Sequence, residues 1–120
     1  MTNDSQFFHF IAFKLVCHHG LDSLQVLSMG ANKIRDVPDA LGNLSQLQGL
    51  NLCDNKIDKI PSSIARLHNL KTLSLHKNQI RTLPPELISL RNLTELSLRE
   101  NPLVERFVER MYYSHCHYFW

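Results

Sequence analysis

Cys53 and His76 are the residues of this chain whose types suggest catalysis most directly. A thiol beside an imidazole base is a common nucleophilic arrangement, because the base removes the thiol proton. Such a site also needs a third group that orients the base and donors that stabilise an oxyanion. The sequence has neither a G-x-S-x-G motif nor another sign of these groups. We therefore expect that the protein is not an enzyme.

Two further clusters contain metal-ligand residue types, Cys17 to His19 near the start of the chain and His115 to His117 near its end. Structural zinc sites usually combine two ligand pairs whose members are separated by a few residues. Ligands that are adjacent or alternate rarely converge on one ion. The sequence also lacks the GxxxxGK[ST], GxGxxG and HExxH motifs. We expect no metal and no cofactor.

The composition indicates a soluble chain with enough apolar residues for a core. Leucine accounts for 20 of the 120 residues, and 13 Lys and Arg nearly balance 11 Asp and Glu. The longest mostly apolar run, Phe7 to Cys17, is shorter than the roughly 20 residues that a membrane-spanning helix needs. No Lys or Arg precedes it, which disfavours a signal peptide, and an odd number of widely spaced cysteines disfavours a disulfide framework. We expect a cytoplasmic protein without membrane insertion.

A repeat of 23 residues organises the middle of the chain. The pattern L-x-x-L-x-[LM]-x-x-N-x-I-x-x-[VIL]-P-x-x-[LI]-x-x-L-x-x occurs three times without a gap, and a fourth copy begins and then stops. We refer to the positions within each copy as slots 1 to 23. The copies are residues 24–46, 47–69, 70–92 and the partial copy 93–103.

The alternating apolar residues at the start of each copy predict one half-buried strand per repeat. Strands that run in one direction form a parallel sheet, and Pro38, Pro61 and Pro84 stop each strand so that the chain returns across the back. Because the returns are wider than the strands, the stack bends with the sheet on its concave side. The predicted fold class is α/β, a solenoid with a parallel concave sheet and short helical or irregular convex returns.

These repeats resemble the leucine-rich repeat superfamily, in the intracellular class whose copies carry Leu-Pro midway, as at Leu83 and Pro84. The resemblance extends from Leu24 to Phe107. It implies a non-catalytic adaptor or scaffold that binds another protein, and substrate recognition for a ubiquitin ligase is one role that it implies.

Asparagine fills slot 9 of every copy, just past each predicted strand. A row of amides could bind a ligand, but such regular spacing is more typical of side chains that satisfy backbone groups at a turn. We interpret the column as part of the scaffold. Its members are Asn32, Asn55, Asn78 and Asn101.

The two ends of the chain depart from the repeat. Residues 1–20 predict an irregular leader or a partial N-terminal cap, and residues 21–103 contain the repeats. Residues 104–120 predict a short cap helix and an irregular tail, with Asn101 as the N-cap and Pro102 in the first turn. An alternative interpretation is a truncated splice or gene-model product without independent activity.

The exposed side of the predicted sheet, formed by slots 3, 5, 7 and 8, is the candidate binding surface, and we name it the concave face. Aromatic residues are absent between Leu21 and Pro102, and basic residues alternate with acidic ones, which disfavours nucleic acid. A rigid polar ribbon with small side chains suits a protein partner. We expect a monomer that binds another protein. The predicted partner-binding residues are Asn51, Cys53, Asp54, Thr72, Ser74, His76, Lys77, Glu95, Ser97 and Arg99.

Overall fold

A computed structural model of the chain describes residues 23–104, in which four short strands alternate with three 3-10 helices. Each strand has three residues and each helix has five, so every element depends on its neighbours for stability. No helix in this range is long and apolar enough to cross a membrane. The elements are β1 (Val26–Ser28), η1 (Asp39–Asn43), β2 (Gly49–Asn51), η2 (Ser62–Arg66), β3 (Thr72–Ser74), η3 (Pro85–Ser89) and β4 (Glu95–Ser97).

The four strands form one parallel sheet in the order of the chain, β1-β2-β3-β4. Each residue pairs with its counterpart one repeat later, as Leu27 does with Leu50 and Leu73 with Leu96. This constant register turns every slot into a column that crosses the sheet. The predicted solenoid with a parallel sheet is confirmed.

The core lies between the sheet and the 3-10 helices and consists of the repeating apolar slots. In the second copy Leu47, Leu52 and Ile57 are fully buried. Leu24, which shares a slot with Leu47, is only partly buried in the first copy, as is Val37. The middle repeats therefore have the most complete cores, as expected where a repeat has neighbours on both sides.

Each return begins with an extended proline and then forms a 3-10 helix. Pro38 has φ −69° and ψ 146°, and its carbonyl accepts the N–H of Leu41 at 3.1 Å. The three helices stack in order, η1 on η2 and η2 on η3. Where η1 meets η2, a Cβ on Gly42 would lie 2.5 Å from the carbonyl oxygen of Ser63, so this contact requires glycine.

The asparagine column joins neighbouring repeats through backbone groups. The Asn55 amide donates to the carbonyls of Met29 at 3.1 Å and Leu52 at 3.0 Å, and its Oδ1 accepts the N–H of Ile34 at 3.2 Å. Asn78 makes the same set of contacts one repeat later. Both side chains are buried. The interpretation of this column as scaffold is confirmed, because the amides are used by the fold itself.

The residue in slot 8, directly before each asparagine, has a left-handed backbone. Its φ is 57° at Ala31, 54° at Asp54, 57° at Lys77 and 58° at Glu100. This region costs roughly 1–2 kcal/mol for a residue with a Cβ. The slot 8 residues are exposed, as the sequence pattern predicts. They are not part of the strands, however, because each strand ends at slot 5 and the chain turns at slot 8.

Residues 1–22 and 105–120 lie outside the described residues, and so do the predicted leader, the tail and both Cys/His clusters. The first part of the predicted cap helix is described, and Pro102 to Val104 are not helical. Asn101 is not an N-cap, because its Oδ1, the atom that would accept a helix N–H, accepts the N–H of Ile80 at 3.1 Å instead. Its amide donates to the carbonyl of Leu75 at 2.9 Å, as the fourth member of the asparagine column. The N–H of Val104 instead binds the carbonyl of Arg81 at 2.9 Å, which continues the stacking of the repeats.

Candidate partner-binding face

The strands direct alternate side chains to the core and to the concave face. In every strand the central leucine is buried, while the residues on either side are exposed or half-buried. Thr72 and Ser74 of β3, Glu95 and Ser97 of β4, and Asn51 of β2 are such flanking residues. The structure thus places these predicted binding residues on one surface of the sheet.

Backbone pairing continues past the ends of the strands and keeps slot 7 in register. The N–H of Asp54 donates to the carbonyl of His76 at 2.9 Å, and the N–H of Lys77 donates to the carbonyl of Arg99 at 2.9 Å. Cys53, His76 and Arg99 therefore follow one another in adjacent repeats, along the edge where the strands end. Cys53 and His76 are half-buried, whereas Asp54, Lys77 and Arg99 are exposed.

Small and uncharged side chains occupy slots 3, 5 and 7 of the first two copies. A Cβ on Gly30 would lie 3.0 Å from Cys53 Sγ, and one on Gly49 would lie 3.2 Å from Thr72 Oγ1. Val26 beside Gly49 is 66% exposed. This end of the concave face offers close approach to the backbone and an exposed aliphatic side chain.

A depression of about 560 Å³ lies between β3 and β4. It brings together most of the predicted binding residues of these two repeats. Glu100, a slot 8 residue, also lines the depression, although it is not among the predicted partner-binding residues. Asn51, Cys53, Asp54 and Lys77 do not line the depression. The lining residues are Thr72, Leu73, Ser74, His76, Glu95, Leu96, Ser97, Arg99 and Glu100.

A hydrogen bond joins two of the lining side chains, with Ser74 Oγ 2.9 Å from His76 Nδ1. The contact engages Nδ1, so Nε2 is the ring nitrogen that is left for a ligand. The two residues are separated by one position, and alternation puts both on the same side of the chain. That spacing is the signal in the sequence from which this contact could have been expected.

A serine beside a histidine can form a nucleophile and its base. Such a pair also needs a third group that orients the imidazole. Within residues 23–104 no carboxylate hydrogen-bonds to the imidazole of His76, whose hydrogen bond is with Ser74 of its own repeat. Nor do three His, Cys, Asp or Glu side chains of the described range come together as a metal site. The concave face is thus a set of hydroxyl, imidazole, guanidinium and carboxylate groups that can hydrogen-bond to a ligand.

Comparison with known proteins places this architecture in a family. The family model for the leucine-rich repeat region matches residues 14–112. This chain belongs to the leucine-rich repeat family. Members of this family are typically interaction modules without catalytic activity. No curated protein matches the sequence of this leucine-rich repeat chain.

Solved structures of other leucine-rich repeat proteins are similar to the chain. A leucine-rich repeat protein of Leptospira interrogans has 34% identity and a TM-score of 0.77 over 81% of this chain and 25% of its own. Internalin C2 of Listeria monocytogenes has 37% identity and a TM-score of 0.64 over 72% of this chain and 37% of its own. A chain of the Drosophila Toll–Spatzle complex has 30% identity and a TM-score of 0.66 over 73% of this chain and 12% of its own. The chain thus spans about a quarter of the Leptospira protein.

Proposed function

We propose that this leucine-rich repeat chain is a non-catalytic module that binds a partner protein on its concave face. The observation that carries the proposal is the depression between β3 and β4. The side chains in slots 3 and 7 of these two repeats differ from those of the preceding repeats. The buried leucine in the centre of each strand is the same in all of them. A surface that varies on a backbone that repeats is suited to specific recognition. The similarity to a chain of the Toll–Spatzle complex supports a role in protein binding.

The finer form of the proposal is an adaptor or scaffold that acts as a monomer in the cytoplasm. Its sequence support is a resemblance of Leu24 to Phe107 to leucine-rich repeat-containing protein 58, carried by segments such as Leu52 to Ile57 and Asn101 to Val104. That resemblance implies substrate recognition for a ubiquitin ligase. Identification of ligase subunits among the proteins that co-purify with the chain would support this role.

The test of the binding surface compares two double variants. His76→Glu with Arg99→Glu changes two residues that line the depression. Lys71→Glu with Arg91→Glu changes two exposed basic residues that do not line it. Affinity for a co-purified protein that has been identified by mass spectrometry is then measured by calorimetry for the parent and both variants.

We expect the first double variant to lose binding and the second to bind nearly as well as the parent. The Lys71 and Arg91 variant should keep a melting temperature close to that of the parent, because exposed ion pairs contribute only about 0–1 kcal/mol. The His76 and Arg99 variant should lose about 0.5–1.5 kcal/mol of stability, because half-buried His76 makes one hydrogen bond, with Ser74. Equal losses of affinity would mean that overall charge or the convex side recognises the partner. The proposal would then be wrong.

A further inference from the structure

The depression between β3 and β4 has margins of opposite character. Glu95 in slot 3 is an exposed carboxylate on the margin where the strands begin, and its register partner is the neutral Thr72. His76 and Arg99 in slot 7 lie on the margin where the strands end. A ligand that lies along β4 therefore meets the acidic Glu95 at one end. At the other end it meets the donor groups of His76 and Arg99, with Glu100 beside them.

Hydroxyl groups lie between these margins. Ser74 and Ser97 pair in the β3–β4 register and are both half-buried. Each hydroxyl can donate and accept a hydrogen bond, which suits the alternating N–H and C=O groups of a peptide backbone. The centre of the depression thus offers contacts that are independent of the ligand's side chains.

The distance between the margins sets the spacing of the ligand's charges. Slot 3 is the first residue of each strand and slot 7 lies two residues past its end. At about 3.3 Å per residue of extended backbone, the two slots are at most about 13 Å apart. An extended peptide that lies along the strand has the same rise. Side chains four positions apart in such a peptide therefore reach both margins from one face of the chain.

Glu100 restricts which chemical group of a ligand suits the margin formed by His76 and Arg99. Glu100 lines the depression and follows Arg99 in the sequence, so its negative charge offsets the positive charge of Arg99 at this margin. Arg99 also has a further interaction within the molecule, but its guanidinium presents five N–H donors and can serve two partners. A single carboxylate suits this margin better than a phosphate group, which carries a charge of about −1.5 to −2.

From this charge pattern, and resting on the proposed function, we propose that the depression recognises an extended peptide segment with a basic residue four positions from an acidic residue. The basic side chain contacts Glu95, and the acidic side chain contacts His76 and Arg99. The serine hydroxyls bind the backbone between them. The partner is thus a protein that presents an exposed, extended segment with this charge spacing.

The test uses fluorescent nine-residue peptides in a Gly/Ser background, each with two charged positions. The matched probes place Lys and Glu four positions apart, in both orders. The mismatched probes carry two Glu at that spacing, two Lys at that spacing, or Lys and Glu two positions apart. Dissociation constants are measured by fluorescence polarisation with the full chain.

The better of the two matched probes should bind about fivefold more tightly than either like-charged probe. One exposed ion pair raises affinity by up to about that factor. Glu95→Lys should reverse the preference, so that the probe with two Glu becomes the best ligand. Asp39→Lys is the matched control, because it makes the same change of charge at an exposed residue of η1. It should leave the order of the probes unchanged.

Two results would overturn the inference. In one, affinity follows only the net charge of the probe, and Glu95→Lys and Asp39→Lys have equal effects. In the other, no probe binds. Neither result decides the proposed function, which the loss of the co-purified partner in the His76 and Arg99 double variant tests separately.

Discussion

The inward and outward slots of the same strands follow opposite rules. Inward, the central residue is leucine in all four strands, from Leu27 of β1 to Leu96 of β4, and each is buried. Outward, slot 7 changes from Gly30 to Cys53, His76 and Arg99. Because both sets of residues share one backbone, the difference shows that the repeating slots determine the fold and the varying slots are available for recognition.

The concave face itself is divided in the same way. Slots 3, 5 and 7 are small and uncharged over β1 and β2, while over β3 and β4 they include Glu95, His76 and Arg99. The depression lies in the second half. We therefore propose that the C-terminal half of the face selects charged partners, whereas the N-terminal half is suited to close backbone approach.

The largest expected effect tests the inward side of the comparison. Leu73→Ala removes a side chain that is 1% exposed, in the centre of β3. It should lower the free energy of unfolding by about 2–5 kcal/mol, because a cavity remains between two repeats. Leu24→Ala is the control, since Leu24 is only partly buried and should cost less. Thermal melts that shifted equally for the two variants would contradict the difference between middle and terminal repeats.

An intermediate effect tests whether the asparagine column belongs to the fold or to the face. Asn55→Ala should cost about 1–3 kcal/mol, because the carbonyls of Met29 and Leu52 lose a buried donor. Asn69→Ala, which removes one exposed contact with the carbonyl of Ser45 at 2.9 Å, should cost no more than about 1 kcal/mol. Urea titrations measure both. An Asn55→Ala variant of normal stability that no longer bound a partner would make the column functional.

The smallest expected effect concerns slot 8, where the chain turns between the outward slots of the strand and the asparagine of slot 9. Lys77→Gly should raise stability by about 0.5–1 kcal/mol, because glycine adopts the left-handed φ of 57° without the Cβ penalty. Lys56→Gly, at an exposed residue without a positive φ, should lower it by about 0.4–1 kcal/mol through the entropy of the unfolded chain. Shifts of the same sign in the two melting curves would refute the assignment of strain to this turn.

The sequence predicts the inward half of the molecule in detail, because identical slots must fill identical environments. Leu73 and Asn55 could be assigned to the core and the scaffold from spacing alone. The turn at Lys77 could not, since Ala, Asp, Lys and Glu in this slot lack the glycine that usually marks a left-handed residue. For the outward half, spacing puts Ser74 and His76 on one face, but their hydrogen bond depends on side-chain rotamers that the repeat does not encode.

The unshifted register between neighbouring strands also makes each repeat an exchangeable unit. Removal of residues 47–69 would join the first copy to the third with every slot still in sequence. Val26 would then lie beside Thr72, and Gly30 beside His76, whereas in the intact sheet Val26 pairs with Gly49. Duplication or loss of one whole copy in evolution would in this way change the neighbours of the depression without changing the architecture, so that new binding surfaces arise by recombination of repeats as well as by point substitution.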